Sequence, residues 1–402
     1  MEPDIDLKSN PGKILTLITQ EANKVGAINL GQGFPELSDD EKALPTRIQF
    51  LQNAQDTFVD YAAQQYPPPR GLPELQEAIA QTNQQYYGLE TDPETEIVVT
   101  QGATAALFYA MNALLQKEND DRDEVLLIEP FFNFYHSIIQ DAGGRTNHFA
   151  LEPDSNQEWV LDIDKLEASI TDKTKVILLN SPMNPNGKVF SREELEAIAS
   201  IVQRHDLYVV CDEVYEFYTP DGQAHIPLAT IDGMKDRCIR VSSVGKTFAV
   251  TGWRAGYVSG PEHLINHMFD SHFYISGGVS RAFQSATTFG LRQDDFIQSL
   301  GQDYQEKSKI LSDGLKQAGF LVSPAQGGYF VAADYSQLSD SEATDFAMHM
   351  IKEHGVAAVP FDPPFLSADN KTDAKNYLRF CVAKPQQVLQ ESVQRLQGIN
   401  GP

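Results

Sequence analysis

In the segment SSVGKTFAVTGWR, residues 242–254, Lys246 sits among small residues, with Ser243 three positions before it and Arg254 eight after it. A lysine so placed can remain unpaired and act as a nucleophilic amine. A hydroxyl and a guanidinium at those offsets suit a phosphate held to one side of that amine. The trio describes a ligand that is both an aldehyde and a phosphate, since an aldehyde is what a lysine captures as a Schiff base. Taken alone, a lysine after glycine in a turn reads first as a solvated surface residue.

Other polar residues stand at the ends of apolar runs. The turn TQGATAALF follows the run EIVV and opens a helix, so the amides of Ala103 and Thr104, with the Thr104 hydroxyl, can receive a phosphate at the positive end of a helix dipole; the plainer reading is a turn with a helix cap. Asp212 follows the run LYVVC, where an unpaired carboxylate is costly, and it serves either a buried cation or a helix N-terminus. Arg379, inside the apolar run YLRFCVA, needs an anionic partner, either a bound carboxylate or a buried acidic side chain. Singly, Asn184 before a proline reads as a turn signal, and Tyr215 and Phe132 read as core aromatics.

Together, NSPMNPNGKVF (180–190), CDEVY (211–215), SSVGK, TGWR and RFCVAKP resemble the class I and II aminotransferases, fold type I enzymes dependent on pyridoxal 5′-phosphate. The resemblance runs over nearly the whole chain. INLGQGFPEL near the start, EPFF at 129–132, QGGYF at 326–330 and RFC at 379–381 are most similar to the branch holding kynurenine, glutamine and methionine aminotransferases. It implies that Lys246 carries the cofactor and, once displaced by the substrate, serves as the base. Asp212 meets the pyridine nitrogen, Asn184 and Tyr215 bond the ring's 3-oxygen, and Phe132 stacks on the ring. Ala103, Thr104, Ser243 and Arg254 hold the phosphate, and Tyr66, in YPPPRGL, reaches the phosphate of a partner subunit in a homodimer with shared sites. Arg379, with Asn184 and backbone at Gly33, receives the substrate α-carboxylate. Amino acids and 2-oxo acids are the implied partners.

Three positions depart from that branch. Its aromatic near the start is Gly12 here, the tyrosine of its Gly-Ala-Tyr turn is Thr104, and the segment SGGVSRAFQ (276–284) lacks its Phe-His pair. All three touch the side-chain pocket or its edge, so they bear on substrate identity. With one arginine assigned to the α-carboxylate and none to a second, a neutral donor of aromatic, methionine-like or glutamine-like character is expected. Phe361 and Phe365, in VPFDPPF, are candidates to line its pocket or else belong to the small-domain core. Carbon–sulfur β-elimination is the alternative reaction, because the same machinery makes the same carbanion; a non-enzymatic regulator sensing the cofactor is more remote.

The elements that must position these residues follow from periodicity. Between about 75 and 290, the runs EIVV, EVLLI, KVILL, LYVVC, RCIRV and AGYVS alternate with amphipathic stretches such as ATAALFYAMNALLQ and SREELEAIASIVQRH. Continuous apolar strands separated by helices predict an α/β fold with a mostly parallel sheet covered on both faces, its ligands at the carboxyl ends of the strands. A smaller α+β domain is expected beyond it. The expected division is residues 1–45 joining the small domain, 46–290 forming the large cofactor-binding domain, and 291–402 forming the small C-terminal domain. The stretch 36–70, rich in Asp, Gln and Pro, is expected to be an extended loop.

The 402 residues carry 56 acidic and 31 basic side chains, a net charge of -25. Such a balance disfavours nucleic acid and anionic membranes as partners. Anionic ligands then require a locally basic pocket. No apolar run approaches the roughly 20 residues of a membrane span, and the start lacks the pattern of a signal peptide, so a cytoplasmic protein is expected. Three scattered cysteines, Cys211, Cys238 and Cys381, read as small buried hydrophobes, with no metal site implied.

Overall fold

The computed structural model describes residues 13–115, 121–220, 223–362, 365–367 and 373–401. Seven strands form the main sheet: β1 (Ile97–Thr100), β2 (Glu124–Glu129), β3 (Arg145–Ala150), β4 (Thr174–Asn180), β5 (Tyr208–Asp212), β6 (Cys238–Ser243) and β7 (Gly256–Ser259), in the order β1-β7-β6-β5-β4-β2-β3. β7 runs antiparallel to both neighbours and the remaining pairs are parallel.

The strand period of two sorts these runs into two cores. Ile177 and Leu179 of β4, with Val209 and Cys211 of β5, pack on the helix Arg192–Arg204. Val176, Leu178 and Val210 point the other way and pack with the helix Ala103–Leu115. Every residue of β4 is buried, as a central strand covered on both faces requires. The Arg192–Arg204 helix begins with a capping box, Ser191 and Glu194 each accepting from the other's backbone N–H. All three cysteines are free and buried.

Four further strands, β8 (Leu321–Val322), β9 (Phe330–Asp334), β10 (Val359–Pro360) and β11 (Tyr377–Cys381), make an antiparallel sheet in the order β8-β9-β11-β10. Arg379 lies in β11 opposite Ala332 on one side and Val359 on the other. The chain's beginning packs here too: Ile28 and Asn29 pair with Val356 and Ala357, and the Cys381 N–H donates to Leu30 O at 2.7 Å.

Residues 36–70 differ from the expected extended loop. They contain the helices Asp39–Lys42 and Pro45–Val59 and a 3-10 turn at Tyr61–Gln64. The longer helix buries only Phe50 and Ala54 while Ile48, Leu51, Phe58 and Val59 stay exposed. Its apolar residues therefore encircle the helix without forming one stripe, so the 3.6-residue period is weak. Strand β3 was likewise absent from the expected set; it is a sheet edge of sequence RTNHFA with one fully buried residue, Phe149. Among the described residues, no helix is long and apolar enough to cross a membrane. Gly12 lies outside the described residues.

Candidate active site

The carboxyl ends of β4, β5 and β6 lie side by side, with Asn180 paired to Asp212 in register. Around them opens a cavity of about 600 Å³ lined by Ala103, Thr104, Phe132, Asn184, Asp212, Tyr215, Ser243, Lys246, Arg254, Gly33 and Arg379. Of the residues assigned to the cofactor or the α-carboxylate, Tyr66 stands apart: it is 92% exposed and outside this lining. The charged side chains of the described lining are Lys246, Arg254, Arg379 and Asp212, three cations against one carboxylate in a chain of net charge -25. Such a cavity favours an anionic ligand.

Lys246 stands in the short helix Val244–Thr247 directly after β6. Its carbonyl accepts from the hydroxyls of Tyr218, at 3.1 Å, and Tyr329, and its Nζ donates to Gly33 O at 2.6 Å. Burial lowers the ammonium's pKa to about 8, with Arg379 and Arg254 acting in the same direction and Asp212 opposing them. A substantial fraction of neutral amine near physiological pH is the condition for a nucleophile and a base.

On one side of Lys246 the donors suit a phosphate. Ala103 and Thr104 begin the 13-residue helix Ala103–Leu115, whose first N–H groups face the cavity end of β1. Arg254 holds a left-handed backbone, φ 50, and its Nη1 donates to Thr251 O at 3.2 Å. Gly102 lets the guanidinium approach: a Cβ there would meet Arg254 Nη2 at 3.0 Å, and its φ of 80 is one that glycine adopts without strain. Ser243, Arg254 and the helix start thus form a cradle that a side chain at position 102 would crowd, and the donor set matches a phosphate dianion.

Opposite lies the acid. The Asp212 carboxylate accepts from Tyr135 Oη at 2.6 Å and from the Val214 N–H at 3.4 Å. Burial raises its pKa from 3.8 to about 6 against the lowering effect of the Tyr135 bond. An aromatic nitrogen that can take a proton suits this carboxylate, because the resulting ion pair relieves a buried charge. Folding therefore favours the protonated acid: the stabilisation is complete below the unfolded pKa and is lost as pH rises through about 6. At pH 7 the ionised carboxylate costs the cofactor-free protein up to about 3 kcal/mol. The cofactor-free wild type is expected to lose urea-unfolding free energy between pH 5 and 7.5, and Asp212→Asn to remove that fall; parallel pH profiles for the two proteins would contradict this.

Arg379 is 3% exposed and stacks its guanidinium on Phe330 and Phe365, with the carbon 4.4 and 4.8 Å from the ring centroids. Nη1 donates to Asn184 Oδ1 at 3.0 Å and Nη2 to Gly31 O at 2.6 Å, while Nε has no partner. Burial lowers its pKa to about 10. Among the described residues no carboxylate lies within ion-pair distance of it, so the competing structural reading of this arginine has no acidic partner to support it. Gly33 stands beside it with its own space filled, since a Cβ there would meet the Phe330 ring at 2.9 Å. Phe361 and Phe365 are fully buried outside the cavity lining, packed in the core with Trp159 and Tyr377. They are not pocket residues; Phe365 instead backs the Arg379 guanidinium. The cavity lining also includes Leu15, Thr19, Phe34, Leu107 and Phe134.

Two functional residues escaped the sequence reading. Tyr135 bonds Asp212 from three positions beyond Phe132, and its only signal was one more aromatic in FFNFY. Asn180 binds the Asp212 carbonyl at 2.8 Å through Nδ2 and accepts the Asn184 N–H at 2.7 Å, tying β5 to the turn that carries Asn184. It was visible only as the asparagine ending a strand.

Residues 25–396 match the family model described as aminotransferase class I and II. The chain is 38% identical over 381 residues to the probable N-succinyldiaminopimelate aminotransferase of Mycobacterium tuberculosis, covering 93% of each chain. It is 34% identical over 415 residues to kynurenine–oxoglutarate transaminase 1 of Mus musculus, covering 96% of this chain and 94% of the relative. The crystal structure of a methionine aminotransferase from Escherichia coli superimposes with a TM-score of 0.89 at 30% identity, covering 99% of this chain and 100% of that one. With the seven-stranded sheet and the lysine, aspartate and arginine converging on one cavity, the chain belongs to the class I and II aminotransferases, pyridoxal phosphate-dependent enzymes of fold type I.

Proposed function

We propose that this aminotransferase moves the amino group of a neutral L-amino acid, aromatic, methionine-like or glutamine-like, to a 2-oxo acid. The observation that carries this reading is the charge inventory of the cavity: its described cations are Lys246, Arg254 and Arg379, and each is assigned, leaving none for a second substrate carboxylate.

When bound, pyridoxal phosphate supplies an electron-withdrawing ring that acidifies the α-hydrogen of an attached amino acid. Arg254, Ser243 and the helix start at Ala103 and Thr104 anchor the phosphate. Asp212, held by Tyr135, would keep the ring nitrogen protonated. Phe132 would pack on the ring face, and Asn184 and Tyr215 would bond its 3-oxygen. Arg379 would receive the substrate α-carboxylate with paired N–H donors and so orient the substrate within the cavity that Lys246 also lines. Lys246 would hold the cofactor through its amine, and once freed by the substrate the same amine would serve as the base that moves the α-proton.

Support for a shared-site homodimer comes from the surface. Ile48, Leu51, Phe58, Val59, Tyr61 and Tyr66 are exposed, as are Phe273, Tyr274 and Ile275, and Arg281 donates to the carbonyls of Gln65 and Tyr66. Exposed apolar side chains in such number mark an interaction surface. Tyr66 then serves the phosphate site of the other subunit; a single-chain mass by light scattering at micromolar concentration would remove this part of the reading.

A panel of amino donors with a common 2-oxo acid acceptor tests the substrate class. Aromatic amino acids, methionine or glutamine are expected to exceed aspartate in kcat/KM by at least about a hundredfold, because a buried second carboxylate without a partner costs several kcal/mol. Aspartate as the best donor would overturn it. The 38% identity to a probable N-succinyldiaminopimelate aminotransferase supports a second reading, a donor whose long acylated side chain carries further carboxylates; as best donor that compound would overturn the reading from the charge inventory, so it belongs in the panel.

A further inference from the structure

Behind the cavity, on the far side of β5 and β6, lies a buried ionic cluster that takes no part in the chemistry above. Arg240 is 2% exposed and uses its whole fork: Nε donates to Glu213 Oε2 at 2.6 Å, Nη2 to Glu216 Oε2 at 3.1 Å and Nη1 to Asn83 Oδ1 at 2.8 Å. The Glu216 carboxylate collects three hydroxyls besides, from Tyr87 at 2.8 Å, Ser242 at 2.7 Å and Tyr257 at 3.4 Å. Tyr87 also lays its ring under the guanidinium, 4.9 Å from its carbon, and His225 Nε2 lies 3.3 Å from Glu213 Oε2.

Removing two carboxylates and a guanidinium from water is expensive, and apolar residues of the same volume would fill such a space as stably. What the cluster adds is direction. Its members are chain neighbours of the residues that line the cavity: Glu213 follows Asp212, Glu216 follows Tyr215, and Ser242 precedes Ser243. At each of the three pairs one side chain faces the cavity and its neighbour enters the cluster. Glu216 alone joins the turn carrying Asp212 and Tyr215 to β6 through Arg240 and Ser242, to β7 through Tyr257, and to the helix Pro73–Tyr87 through Tyr87. A carboxylate bonded at both oxygens permits little rotation, so the turn has one position relative to the strand that leads to Lys246.

We propose that Glu216 is a positioning residue for the cofactor site, fixing Asp212 and Tyr215 against Ser243 and Lys246 through the Glu213–Arg240–Glu216 cluster. This rests on the assignment of those four residues given above. Glu216→Gln keeps the shape of the side chain and removes its charge, leaving three hydroxyl donors and a guanidinium facing an amide that can accept at one end only.

Four readouts separate positioning from mere support. In the cofactor-free protein, hydrogen exchange of the amides 212–218 is expected to quicken in Glu216→Gln while the Arg192–Arg204 helix keeps wild-type protection. In the loaded protein, cofactor binds more weakly and the pH midpoint of its visible absorption moves. Turnover falls by about a hundredfold, as a displacement near 1 Å produces, with little change in KM for the amino donor. Ile198→Val, a core change in the Arg192–Arg204 helix, serves as the control that lowers stability alone. Glu216→Gln losing thermal stability while keeping wild-type cofactor affinity, spectrum and exchange would overturn the proposal. Should that variant fail to fold, Tyr87→Phe and Ser242→Ala, each deleting one bond to the same carboxylate, carry the same two outcomes. An inactive Lys246→Ala beside an unaffected Glu216→Gln refutes only the positioning role, whereas a fully active Lys246→Ala refutes the site assignment beneath it.

Discussion

Lys246→Ala is expected to lower kcat by at least about 10⁴-fold for every amino donor, because it removes the amine that holds the cofactor together with the base that moves the α-proton. The loss is expected without unfolding. The Lys246 backbone is kept in place by Tyr218 and Tyr329 bonding its carbonyl, contacts that an alanine retains. The phosphate cradle of Ser243, Arg254 and the Ala103 helix start does not involve the lysine side chain, so pyridoxal phosphate should still bind, reversibly and without the visible band of a lysine-bound cofactor. Supplied methylamine is expected to restore a small part of the turnover. Activity within tenfold of wild type would show that a different amine does this work.

Arg379→Ala is expected to lower kcat/KM by about 10²- to 10³-fold for all amino donors alike, since it deletes one partner of a buried, charge-assisted pair worth about 2–5 kcal/mol. The uniformity is the informative part: the α-carboxylate is common to every substrate, whereas a side-chain contact would discriminate between them. Arg379→Lys is expected to recover little, because an ammonium cannot offer two parallel donors or stack between Phe330 and Phe365. A variant that spared methionine or aromatic donors while impairing others would move Arg379 to the side-chain end of the cavity.

How much of this was legible beforehand depended on the kind of signal. Strands β1, β2, β4, β5 and β6 were readable because continuous apolar runs bounded by polar ends occur where a strand is covered on both faces, and the residues ending those runs marked the cavity. Strand β3, with its mixed edge sequence, and the helix Pro45–Val59, with apolar residues on all sides, were not, since neither buries a single periodic face. Within the site, Asp212 and Arg379 announced themselves through cost, each a charge placed where burial demands a partner, whereas Lys246 was marked by its spacing to Ser243 and Arg254. Tyr135 and Asn180 carry no such cost in the sequence, because a tyrosine or asparagine beside a strand has many ordinary uses. Phe361 and Phe365 were open between pocket and core, and the core reading holds. Their aromatic character suggested a pocket, but the side chains lie behind Arg379 in the core, and orientation is a property of the packing that neighbouring residues decide.

The central claim, that Lys246 is the residue through which this chain carries its cofactor, is tested most directly by borohydride reduction of the loaded protein followed by peptide mass mapping. The account predicts one pyridoxyl-phosphate adduct per chain, on Lys246, in a peptide that is unmodified when an amino donor is added before reduction. An adduct on another lysine, or the absence of any adduct from a protein shown to transfer amino groups, would contradict it.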